Sequence, residues 1–176
     1  RLMKKYKLFI QRHLFVYGKS KIYLSKNPYF TSLLHTLYKT FPDCNIIGCY
    51  RNPQQSIPSL LSNMHEAYLL MSRKITSNNH IEKYILMYKN YYTIMKTEEL
   101  KNKKFILLNM DDISKNLSDV ISNIYKNFNY KLNADFISII QTQTKKSKKY
   151  ISKHKYYLKD YNIDPDYIDN LFFNNK

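Results

Sequence analysis

One segment constrains this chain more than any other: Asn45-Ile46-Ile47-Gly48-Cys49-Tyr50-Arg51-Asn52-Pro53, followed by Ser56-Ile57-Pro58-Ser59-Leu60-Leu61. A short apolar run ends in an arginine, a turn-forming Asn-Pro comes next, and helical spacing then begins. A buried strand that stops at Arg51 puts this side chain at the carboxyl edge of a sheet, where open α/β folds bind ligands. Ser59, eight residues on, falls about two turns into the helix. A guanidinium and a hydroxyl arranged in this way suit a phosphate, one through charge and fork geometry and the other through a hydrogen bond. The competing readings are a surface ion pair of Arg51 with Asp43 or Asp111, and an ordinary helix hydroxyl for Ser59.

The remaining pattern extends this unit. Helical spacing predicts helices over 2–16, 29–41, 53–71, 80–100, 117–128 and 134–149, and a short last one opened by Asp164-Pro165-Asp166 and running to Phe173. Ile22-Tyr23-Leu24-Ser25, 45–50 and Phe105-Ile106-Leu107-Leu108 read as strands, the last wholly apolar as for a strand covered on both faces. Alternating strands and helices predict an α/β fold with a parallel sheet, flanking helices and a helix-rich C-terminal half. All three strand tips would then share one edge: Lys26-Asn27, Arg51-Asn52 and Asp111-Asp112. Residues 72–79 read as a polar loop. At 176 residues, 44% of them apolar, one domain spanning 1–176 is expected.

The net charge of +16 admits two readings. Attraction to anionic partners is one. The other is drift, because the lysines are scattered and accompanied by abundant Asn, Ile and Tyr, as an A/T-rich genome would encode. Only Arg1, Arg12, Arg51 and Arg73 are arginines, which sets Arg51 apart. Together with 15% aromatic residues the charge also motivates a rival function, a basic nucleic-acid-binding module, although no RNA-binding signature or recognition-helix pattern is present. A nucleotide kinase would need a Walker loop, and neither Gly18 nor Gly48 belongs to one. Cys44 and Cys49 lie about 16 Å apart on extended chain, too far to bridge, and are expected as two buried thiols in a reducing compartment.

Lys26, beside a rigid Asn-Pro turn, could neutralise charge on a leaving oxygen. Adjacent Asp111 and Asp112 point to opposite sides of an extended chain, so helix capping is favoured over a metal pair, and no metal is expected. The densest basic run, Lys145 to Lys155, reads either as a cationic segment closing over a nucleotide or as a solvated helix end.

With these residues in place, Leu24-Ser25-Lys26-Asn27-Pro28, Phe41-Pro42-Asp43, Arg51-Asn52-Pro53 and Ile57-Pro58-Ser59 resemble the sulfotransferases that use 3′-phosphoadenosine 5′-phosphosulfate (PAPS). The likeness is to their bacterial-type branch, which carries "LSKNP", "FPDA", "RNP" and "PS" in this order. Asp111-Asp112-Ile113 stands at the "YEDL" element, with Met110 replacing a tyrosine that contacts adenine. Residues 152–158 and 164–168 resemble the branch's closing pattern. The resemblance covers about residues 10–170. It implies a P-loop-like α/β fold and sulfuryl transfer from PAPS, the cosubstrate, to an unidentified acceptor hydroxyl or amine. It further implies that Arg51 and Ser59 bind the 3′-phosphate, that Lys26 stabilises the departing nucleotide, and that Lys153 and His154 help bind the cosubstrate. The family's first βα unit has no counterpart after Arg1, so a fragment lacking its amino-terminal part is expected, one that would not turn over substrate alone. The expected location is the cytoplasm, with an upstream targeting or anchoring segment left open. The acceptor would be chosen by loops such as 73–79.

Overall fold

The computed structural model describes residues 2–71, 78–150, 152 and 154–174. They form two compact units, Arg1–Ile46 and Ile47–Lys176.

In the first unit, helix α1 (Leu2–Tyr17) packs against α2 (Leu34–Thr40). Met3, Leu34 and Leu37 are buried, and the Tyr6 ring meets Phe30 and Phe41 edge-on at 5.2 and 5.9 Å. Gly18 ends α1 with φ +130°, a backbone angle that a side chain would strain. The helix expected over 29–41 is divided: a 3-10 segment, Pro28–Leu33, precedes α2. Asn27 opens that segment by accepting from the Tyr29 N–H at 3.0 Å, with Pro28 at its first position. The strand expected at 22–25 does not form, and Ile22 and Leu24 are exposed. Among the described residues no strand pairs with it, and an extended segment without a neighbour gains no ladder. A side-chain tie holds it instead: the Tyr6 hydroxyl donates to Ser25 Oγ at 3.0 Å.

The second unit carries a parallel two-stranded sheet, β1 (Ile46–Tyr50) beside β2 (Phe105–Asn109). The crossover between them holds α3 (Pro53–Leu70) and α4 (Asn78–Lys101), and α5 (Met110–Asn127) and α6 (Ala134–Lys149) follow. Gly48 permits the close pairing: a Cβ there would stand 2.6 Å from Phe105 Cζ. Neither strand is covered on both faces. Within β1 only Gly48 is buried, and in β2 only Phe105. Cys44 and Cys49 form no disulfide, as expected, but they are not two buried thiols, because Cys44 is half-buried and Cys49 exposed. Of the polar loop expected over 72–79, Asn78 and Asn79 belong to α4, and residues 72–77 lie outside the described residues.

Helix α5 starts immediately after β2, seven residues before the expected point. Its cap is Asn109, whose Oδ1 accepts from the Asp111 N–H at 3.0 Å. Asp111 and Asp112 therefore occupy the first turn and do not cap the helix; there they complement the positive end of the helix dipole. Non-helical angles at Asn116 kink the element where a later start was expected.

The principal core joins α3, α4 and the C-terminal segment through Ile57, Leu61, Ile85, Leu158, Ile163, Ile168 and Phe172. The last helix, α7 (Pro165–Asp169), runs into one π-helical turn, Asn170–Asn174. Among the described residues no helix is long and apolar enough to cross a membrane.

Candidate active site

The turn between β1 and α3 is built by two residue types. Pro53 forces Asn52 out of the helical region (φ −48°, ψ 124°) and supplies the first helical position without needing a hydrogen bond. Asn52 then caps α3. Its Oδ1 accepts from the Gln54 N–H at 2.9 Å, and its carbonyl accepts from the Gln55 and Ser56 N–H groups at 2.9 and 3.0 Å. These first amides are thus occupied, and an anion at this turn must be held by side chains. No acidic residue lies in the first turn of α3, so the positive end of its dipole has no counter-charge of its own there.

Arg51 stands at the exposed tip of β1. Its Nε lies 3.8 Å from Asp111 Oδ1, with the two side chains 54% and 42% exposed. This is one of the two ion pairs weighed from the sequence, and its partner sits at the start of α5 because the parallel strands end side by side. At this distance and exposure the pair contributes about 0–1 kcal/mol, so the guanidinium remains available to a better anion. Ser59 is half-buried in α3. It lies between Ser56, whose hydroxyl meets that of Tyr88, and Ser62, whose hydroxyl meets that of Tyr161. Burial pushes the Tyr88 hydroxyl above its ordinary pKa, partly opposed by contacts from Ser56 and the backbone N–H of Arg51. Tyr88 thereby links α4 to the strand tip, a connection that no motif in the sequence announces.

The other sequence-derived candidates lie apart in the chain. Lys26 belongs to the first unit, exposed on irregular chain between two anchored neighbours, Ser25 and the capping Asn27. His154 is exposed in the second unit, its ring parallel to that of Tyr156 at 6.1 Å, and its N–H donates to Ser152 Oγ at 3.3 Å. The basic run 145–155, which contains His154, is in part a helix end, as α6 continues through Lys149. Lys153 lies outside the described residues. Among the described residues no group of three or more His, Cys, Asp or Glu converges as metal ligands.

The sulfotransferase family profile matches residues 4–134, well over half of the chain. This span takes in Lys26, Arg51, Ser59 and Asp111 and stops short of Lys153 and His154. No curated protein and no solved structure matches the chain.

Proposed function

Because this chain belongs to the sulfotransferase family, we propose that it moves a sulfuryl group from PAPS to an acceptor hydroxyl or amine. The observation that carries this reading is the β1–α3 turn, where a half-exposed, loosely paired guanidinium is followed two turns later by the Ser59 hydroxyl. In this reading the Arg51 fork grips the 3′-phosphate and Ser59 donates one hydrogen bond to it. From the family resemblance, Lys26 is assigned to the oxygen that bridges phosphorus and sulfur. As the acceptor atom bonds to sulfur, the bond from sulfur to that oxygen breaks and its electron pair stays with the nucleotide. Lys26 stabilises the charge that develops there, and the acceptor's proton leaves to a base or to solvent. In the same reading Lys153 contributes a cation, and His154 a hydrogen-bonding ring, to nucleotide binding. The residues fit such a ligand, because its 3′-phosphate is dianionic and the turn offers a cation with only a weak competitor.

Calorimetric titration of the natural protein with 3′,5′-adenosine bisphosphate tests the reading. Saturable binding that adenosine 5′-monophosphate matches only weakly is expected. Equal affinity for the two nucleotides would remove the 3′-phosphate from the account.

A further inference from the structure

The first turn of α3 is weaker than its capped appearance suggests. Pro58, buried inside the helix, has no N–H to give the carbonyl of Gln54, so the bond that would normally tie this turn to the next is missing. Gln54 is held from elsewhere. Its Nε2 donates to Asp169 Oδ1 at 2.8 Å, across 115 residues of sequence.

Asp169 is itself fixed. It closes α7, which Asp164 caps through the Asp166 N–H at 3.0 Å and Pro165 opens. Its neighbour Ile168 is fully buried in the core beside Ile57 and Leu61 of α3. Three residues on, Phe172 packs against Tyr88 and Tyr92 at 5.9 and 5.7 Å, and Lys89 Nζ donates to the Leu171 carbonyl. The segment from Pro165 to Asn174 therefore meets the strand-tip turn twice, through Gln54 and through Tyr88, which touches the Arg51 peptide.

We infer that Gln54 and Asp169 are positioning residues for the anion-binding turn: the C-terminal segment straps the first turn of α3 so that Arg51 and Ser59 address one phosphate. The strap replaces a tie that Pro58 removes. It acts through a hydrogen-bond acceptor at Asp169 and not through the carboxylate's charge, which would repel the ligand. Its role in nucleotide binding rests on the reading of this turn as the 3′-phosphate site.

Asp169→Ala, Gln54→Ala, their double variant and Asp169→Asn test it in the whole protein. Amide hydrogen exchange needs no ligand. In both alanine variants the amides of Arg51, Gln54 and Gln55 should exchange about ten-fold faster while that of Ile140 is unchanged. Affinity for 3′,5′-adenosine bisphosphate should fall about five-fold, as for the loss of one indirect hydrogen bond, with the double variant no worse than either single one. Asp169→Asn keeps the acceptor oxygen and should behave as wild type in both measurements. Unchanged exchange at the turn in Asp169→Ala would overturn the strap, as would an Asp169→Asn variant as impaired as Asp169→Ala. If wild type failed to bind the bisphosphate, the function would fall, and the exchange measurement would still decide whether the strap holds.

Discussion

Replacing Asp111 by Asn should make the protein bind 3′,5′-adenosine bisphosphate more tightly. Asp111 is the one acidic partner recorded for Arg51 among the described residues. Two unit charges 3.8 Å apart attract by about 1 kcal/mol at the dielectric constant of water and about 4 kcal/mol at an effective value of 20. With the side chains 54% and 42% exposed, the lower figure governs. A phosphate entering the turn must displace or share that carboxylate, so neutralising it returns at most about 1 kcal/mol, roughly a five-fold gain in affinity. Asp111 also complements the α5 dipole, and losing that charge should cost about 0.3–1 kcal/mol of stability. The two effects have opposite signs and separate cleanly. Titration calorimetry in about 50 mM salt should show the gain, and in about 0.5 M salt, where the screening length falls to roughly 4 Å, most of it should vanish. Weaker binding by Asp111→Asn at both salt concentrations would refute the reasoning and make Asp111 a contributor to ligand binding.

Three further outcomes follow from the packing. Gly48→Ala would drive a methyl group to 2.6 Å from Phe105 Cζ and 3.1 Å from Leu107 Cδ1; overpacking of this kind should lower stability in urea by about 1–3 kcal/mol. Ile168→Ala empties a position with 0% exposure in the core shared by α3, α4 and α7; a loss of about 2–5 kcal/mol in the same assay is expected. Tyr167 donates to Glu82 at 2.6 Å, and this bond, with burial and the carboxylate's charge, pushes its pKa up to about 12 from 10.0. The folded state thus keeps a proton that the unfolded chain gives up first, so this contribution to stability is whole below pH 10 and is lost as pH rises towards about 12. Ultraviolet titration should show a tyrosine ionising near pH 12 that Glu82→Gln brings back towards the ordinary range.

Much of the secondary structure was legible because local pattern suffices for it. Period-3.6 apolar spacing placed α1, α3, α4 and α6, and the apolar runs ending at Arg51 and before Asp111 placed both strands. The β1–α3 turn was readable from Asn-Pro, which ends the strand and lets a helix start, while the capping role of Asn52 emerges only in the structure. Where the reading failed, the deciding partner was distant or overlooked. Residues 22–25 have strand composition, yet a strand exists only beside another, and among the described residues no strand pairs with this segment. The cap of α5 is Asn109, ahead of the more conspicuous aspartates. Cys49 belongs to an apolar run but alternates onto an exposed face, which composition does not show. The Arg51–Asp111 pair was foreseen as one of two alternatives, because consecutive parallel strands end together. The Gln54–Asp169 bond was not: no local pattern announces a contact between residues 115 apart.

The claim on which the rest depends is that Arg51 reads a phosphate on the 3′ position of a nucleotide. Its most direct test compares 3′,5′-adenosine bisphosphate with adenosine 5′-monophosphate in wild type and Arg51→Ala by calorimetry. Wild type should prefer the bisphosphate, and the variant should lose about 2–4 kcal/mol of binding to it, roughly 30- to 900-fold, while the monophosphate is almost unaffected. A variant that still prefers the bisphosphate by the wild-type margin would contradict the account.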